Sequence, residues 1–216
     1  ITLQNNCKWD EHIRSISRKA NLLISCLRSY KYRLNRKTLN TMYTSFILPV
    51  FDYADIIWDS CTKTLSDTLE DLHLEAIRII TGAVRGTSHI KLYEESGYCS
   101  LKERRKRHKL IFYHKLVHGS APEYLINLLP PLVSSQNPYH RRRPLERIIP
   151  PSKTETYAAS FFPSTTRLWN DIPEHIKASA SISQLKRHLS NPDTVVPIYF
   201  YHGNRKEKIN HRSEER

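Results

Sequence analysis

Apolar side chains recur every three or four residues over three long stretches of this chain, and that period confines it to a helical fold. In residues 9–32 they fall at Ile13, Ile16, Ala20, Leu23, Ile24, Leu27 and Tyr30, with Arg14, Arg18 and Arg28 on the opposite side. Asn35 can cap a second helix through Leu39, Tyr43, Phe46, Val50 and Trp58. Pro49 lacks an amide proton and meets the carbonyl four residues back, so a kink or break is expected near residues 46–48. A third helix is expected over about residues 65–81, with Gly82 in the left-handed position that ends it. Ser88 can cap a short helix that stops at Gly97. Ser100-Leu101-Lys102-Glu103 reads as a capping box, which predicts a helix to His118 closed by Gly119.

Beyond that point the pattern loosens. Pro122 suits the first turn of a short helix that Pro130-Pro131 stops. Residues 130–156 are rich in Pro, Ser and Arg and read as a basic arm, with Leu145, Ile148 and Ile149 in a strand-like stretch. Residues 157–190 recover an apolar pattern and predict a small helical unit, while 191–216 end in a charged tail expected to be disordered. The expected architecture is all-α: a bundle over 1–129, the arm, the small unit and the tail.

Composition narrows the functional classes. The chain has 216 residues, 39% of them hydrophobic, and a mean hydropathy of -0.56. No run of about 18 apolar residues is present, so no membrane-spanning helix is expected. The four cysteines are scattered without a Cys-x-x-Cys pair, which points to reduced, intracellular thiols. The first residue is Ile1, and the expectation is that sequence upstream is missing.

Net charge is +13 and comes in blocks: +7 over residues 8–37, -5 over 38–97, +6 over 101–118 and +5 over 119–216. Clustered cations favour a polyanion, because they release counterions condensed on phosphates. Arg104, Arg105, Arg107 and Lys109 lie at the start of a helix, where its dipole disfavours positive charge, and a bound phosphate would offset that repulsion. With Arg141, Arg142 and Arg143 they are the candidate phosphate contacts; Lys8, Arg14, Arg18 and Arg36 form a second set.

Catalytic patterns are weak. Tyr53-Ala54-Asp55 resembles three positions of the Tyr-x-Asp-Asp turn of polymerases, but Ile56 follows and the context is helical, so Asp52 and Asp55 are read as solvating a helix face. His114 and His118 have metal-ligand spacing and Cys99 is upstream, yet no second close pair of ligands accompanies them, and no metal site is expected. No Gly-x-Ser-x-Gly elbow or glycine-rich phosphate loop occurs. No small-molecule substrate is indicated. Trp9, Trp58 and Trp169 can stack on bases, but their apolar neighbours favour core positions.

Several motifs in order carry a resemblance. They are Trp9-x-x-His12-Ile13, Leu39 to Trp58 with Tyr43-x-Ser45 and Pro49, Ala76-x-Arg78 to Gly82, Leu101-x-x-Arg104-Arg105-x-x-His108, Pro122-x-Tyr124-Leu125 and Trp169-Asn170-x-Ile172-Pro173. Over about residues 1–190 the series resembles the region after the palm in reverse transcriptases of non-LTR (LINE-like) retrotransposons of the jockey and chicken-repeat kind. Met42 departs from it, standing where leucine is usual. The resemblance implies that fingers, palm, catalytic aspartates and their magnesium precede Ile1, leaving this chain no cofactor and no catalysis of its own. It implies a thumb-like bundle that contacts an RNA or RNA-DNA duplex through the backbone, partnered by the missing fingers and palm, with an intracellular location, the nucleus expected and the cytoplasm the alternative. The alternative is a degenerate or domesticated protein-interaction module whose basic helices meet an acidic partner. The duplex-binding expectation requires the cations of the first helix and of the helix after Ser100 to lie on one accessible face.

Overall fold

A computed structural model describes residues 1–5, 8–136 and 144–190. The fold is all-α, and among the described residues the only β feature is an isolated antiparallel bridge between Leu132 and Arg147. Helix α1 (Asp10–Tyr30) carries Asp10 and Glu11 in its first turn and Arg28 in its last, the arrangement its dipole favours. It buries Ile13, Ile16, Ala20, Ile24 and Leu27, the periodic face read from the sequence. Asn35 caps α2 (Arg36–Met42), its side-chain oxygen accepting from the Thr38 amide at 2.8 Å.

The kink expected at Pro49 takes an unusual form. Because the proline has no N–H, the helix widens instead of breaking: Tyr43–Ile47 is a π turn in which the Leu48 amide donates to the Tyr43 carbonyl, five residues back. The helix resumes as α3 (Leu48–Asp52), so the break comes later than expected. It falls at Ala54, held in the left-handed region at φ 53°, and the chain restarts as α4 (Asp55–Trp58). That reversal turns Asp52, Asp55 and Asp59 toward one neighbour.

Helix α5 (Lys63–Thr81) ends at Gly82 with φ 73°, and α6 (His89–Ser96) runs from the Ser88 cap to Gly97, as their punctuation predicts. Helix α7 (Leu101–Val117) starts where the capping box places it, with Ser100 Oγ accepting from the Glu103 amide at 3.2 Å. The Glu103 carboxylate, expected to reach back to Ser100, lies instead 3.7 Å from Lys106 and from Arg107. Short helices follow: α8 (Glu123–Ile126), α9 (Val133–Gln136), α10 (Glu155–Ala159), α11 (Phe161–Asp171), α12 (Glu174–Lys177) and α13 (Ile182–Ser190).

Two main cores share one helix. The first gathers the apolar faces of α1, the α2–α3 segment and α5 around Tyr43, Phe51 and Trp58, and receives Leu101 from α7. The second gathers Trp169, Ile172, Ile176, Leu185 and Leu189 around Leu110 and Tyr113 of α7. Within α7, Leu101, Arg105 and Lys109 form one buried column, whereas Leu110, Tyr113 and His114 bury a different side. The small unit is therefore not separate from the bundle, and the boundary expected near residue 129 does not divide the cores. The arm is pinned by the sequence-flagged Asn170, which accepts from the Arg147 amide at 3.0 Å and donates to the Arg147 carbonyl at 2.8 Å. The expected tail, residues 191–216, lies outside the described residues.

Trp169 is 1% exposed and touches the Tyr113 ring at a centroid distance of 5.3 Å. Trp169→Ala should destabilise the protein by about 3–5 kcal/mol, read as a lowered midpoint in urea unfolding.

Candidate nucleic-acid interface

The basic start of α7 is closed by an acidic counterpart. Arg104 donates from Nε and Nη2 to the two oxygens of Asp52 at 2.5 and 2.6 Å. One turn on, His108 Nδ1 meets Asp55 at 2.5 Å. In the adjacent column, Arg105 Nε donates to Asp59 at 2.7 Å and Lys109 Nζ pairs with the other Asp59 oxygen at 2.5 Å. Arg105 also donates to Ser66 at 2.6 Å and lies over the Trp58 ring, 5.4 Å from its centroid. Lys109 donates to Ser164 of α11 at 3.1 Å, which ties the two cores together.

Burial alone pushes the Asp59 carboxyl up, but Lys109 and Arg105 outweigh it and hold the group below the usual carboxylate range. The helix terminus has its own anion. Glu70 of α5 accepts from the Leu101 amide at 2.9 Å and from the Tyr93 hydroxyl, and burial pushes its carboxyl up despite those bonds.

These pairs correct part of the expected phosphate-binding set. Arg105 and Lys109 are each 3% exposed and cannot reach a phosphate in this fold. Arg104 is half-buried in its bidentate pair, and Arg107 is half-buried beside Glu103. The dipole repulsion that a bound phosphate was expected to offset is met instead by Asp52, Asp55, Asp59 and Glu70, and Asp52 and Asp55 do not merely solvate a helix face. The requirement that α1 and α7 present one common cationic grip therefore fails on the α7 side. Arg141, Arg142 and Arg143 lie outside the described residues. Arg36 is exposed but pairs with Glu95 at 3.1 Å.

Charge remains accessible on α1. Lys8, Arg14 and Arg18 are exposed, and so is Lys19, which belongs to neither candidate set. Arg14 and Arg18 stand one helical turn apart on the outer side. In contrast, Arg28 pairs with Glu75 on α5. A signal for this face was available, since no acidic residue occurs between Glu11 and Asp52. Of the nine carboxylates in residues 38–97, Asp52, Asp55, Asp59, Glu70, Glu75 and Glu95 have partners within the fold. Asp52, Asp59, Glu75 and Glu95 are thereby paired with arginine or lysine inside the fold, and the outer side of α1 keeps its positive charge toward solvent.

The remaining motif residues are structural. Trp58 is fully buried, and Trp9 donates from Nε1 to Ser60 at 3.0 Å, with His12 set edge-on between the two indoles. His73 is buried with its Nε2–H donating to the Cys99 carbonyl at 3.1 Å, which leaves Nδ1 to accept from the Tyr43 hydroxyl. His114 donates from Nε2 to the Ser179 carbonyl at 2.8 Å and its ring lies 4.0 Å from that of His118, while Cys99 lies beside Arg104 and Arg107 instead. Among the described residues one group with metal-ligand geometry occurs, Asp52, Asp55 and His108, within 4.8 Å of one another. Arg104 already occupies both Asp52 oxygens, so this group is accounted for as an ion-pair cluster.

The geometry defines a two-core helical protein with an internal ion-pair zipper and a cationic outer helix. No family model matches the chain, no curated protein matches it, and no solved structure matches it. Among the described residues no helix is long and apolar enough to cross a membrane.

Two outcomes follow for stability. Asp59→Asn strands two buried cations and should cost about 3–5 kcal/mol in urea unfolding. Because the native Asp59 pKa is depressed, its contribution is present above the ordinary value near 3.8 and is lost as pH falls below it, so the variant should lose less on acidification. Burial pushes His73 down to about 4. Its neutral form stabilises the fold above the ordinary value of 6.5, and up to about 3 kcal/mol should be lost as pH falls from there toward 4, a slope that His73→Gln should flatten in pH-dependent unfolding.

Proposed function

We propose that this chain is a non-catalytic, nucleic-acid-binding helical segment of a non-LTR retrotransposon reverse transcriptase polypeptide, working on an RNA or RNA-DNA duplex. With the α7 cations paired inside the fold, the reading no longer uses a grip shared between the two helices and rests on the outer face of α1 alone, where Arg14, Arg18 and Lys19 are exposed and make no ion pair among the described residues. Such a face binds by exchanging condensed counterions for side-chain cations and reads shape rather than sequence. The ordered motifs from which the polymerase context is read form one structural unit: Trp9 with His12, Trp58 and Arg105, from three separate motifs, converge on one cluster. Polymerisation and its magnesium belong, in this reading, to fingers and palm carried elsewhere in the polypeptide, and the site of action is the nucleus.

A salt titration with an RNA-DNA duplex tests it. Log affinity should fall linearly with log salt, by roughly 0.9 per phosphate contact, and the triple variant Arg14→Gln, Arg18→Gln, Lys19→Gln should reduce the slope by about 2 to 3. Duplex affinity that barely changes between about 50 and 200 mM salt would overturn the proposal and favour an acidic protein partner.

A further inference from the structure

The connection from α1 to α2 joins exposed aromatic rings to uncompensated charge. Residues 28–37 read Arg-Ser-Tyr-Lys-Tyr-Arg-Leu-Asn-Arg-Lys, with five cations, two tyrosines and no acid. Tyr32 is 90% exposed and Tyr30 is 44% exposed. The turn between them is compact. The Arg33 and Leu34 amides both donate to the Tyr30 carbonyl at 3.0 Å, half-buried Leu34 packs against the first core, and the Asn35 cap fixes the start of α2. Tyr32 thus projects from a hydrogen-bonded turn, with Lys31 Nζ 5.5 Å from its ring centroid.

The cations divide into two kinds. Arg28 and Arg36 are tied to Glu75 and Glu95. Lys31, Arg33 and Lys37 make no ion pair among the described residues, and Arg33 and Lys37 are exposed. Beside the tip, Arg36, Lys37, Asn40, Ile80 and Ser96 line a shallow open cleft of about 420 Å³. Exposed aromatic rings flanked by cations suit one ligand class, because each unpaired base offers a π face for stacking while its phosphate meets a nearby positive charge. A duplex hides all but its two end faces inside its own stack, so it cannot lay successive bases on the two tyrosines.

We infer that the α1–α2 tip binds single-stranded nucleic acid, stacking unpaired bases on Tyr32 and Tyr30 and holding their phosphates with Lys31, Arg33 and Lys37. This deepens the function proposed above and rests on it. At 1.5 Å per helical residue, the tip lies roughly 24 Å along α1 from Arg14, so a duplex on the outer face and an unpaired extension at the tip fit the same helix.

Anisotropy with a labelled uridine-rich single strand, the same sequence as DNA, and a blunt duplex tests the inference. Tyr32→Ala should weaken single-strand binding about tenfold, with an unchanged salt slope and duplex affinity unchanged, and Tyr32→Trp should restore it. Arg33→Gln and Lys37→Gln should each lower the single-strand slope by about 0.7. The RNA and DNA arms identify which strand is preferred. The melting temperature of Tyr32→Ala should match wild type, since the ring is almost wholly in solvent. Single-strand affinity indifferent to Tyr32→Ala and Tyr30→Ala, or an equal loss on duplex, overturns the tip while duplex binding through α1 stands. Wild-type protein that binds neither form overturns both.

Discussion

The carboxylate of Asp59 is the point on which the two halves of the molecule meet. It lies at the end of α4, takes Arg105 on one oxygen and Lys109 on the other, and Lys109 passes the connection on to Ser164 in α11. Neither cation is tolerable where it lies without that anion, because a charge removed from water needs a close partner and further hydrogen bonds. The stacking of Arg105 on Trp58 adds an apolar floor beneath the guanidinium. The left-handed turn at Ala54 is what brings α4 round to this position, so a strained backbone residue and a buried ion triad support each other.

The same arrangement explains why α7 combines an unusually basic first half with an apolar second half. Its cations are partners for a strip of aspartates, arranged in two columns one residue apart, and its apolar residues are the base of the second core. Block charge alone cannot separate these uses from nucleic-acid binding. An acidic block preceding a basic one is as consistent with pairing inside the fold as with an external polyanion.

What could be read from the sequence follows from the range of the interaction. The Ser88 and Ser100 caps, the left-handed Gly82 and Gly97 and the burial of Ile13, Ile24 and Leu27 depend on residues within a few positions, and all were legible. Pro49 announced a disturbance, but whether a helix lacking one donor breaks or widens depends on what packs around it. The π turn places Tyr43 against His73, thirty positions away. Partners of that kind, such as Arg104 with Asp52, are separated by some fifty residues and left no local pattern. The burial of Arg105 and Lys109 was not legible for the same reason, since exposure is a property of the assembled fold. The absence of acids between Glu11 and Asp52 was the more informative signal than the density of arginines in α7.

Sharing α7 between two cores has a consequence for how the molecule comes apart. A chain ending near residue 129 would leave Leu110 and Tyr113 facing water on a helix whose other column still holds Lys109 inside. Fraying at either end of that rod reaches the opposite end through a single continuous backbone. Local opening should therefore spread to the whole assembly, so that heat or denaturant melts it in one cooperative step.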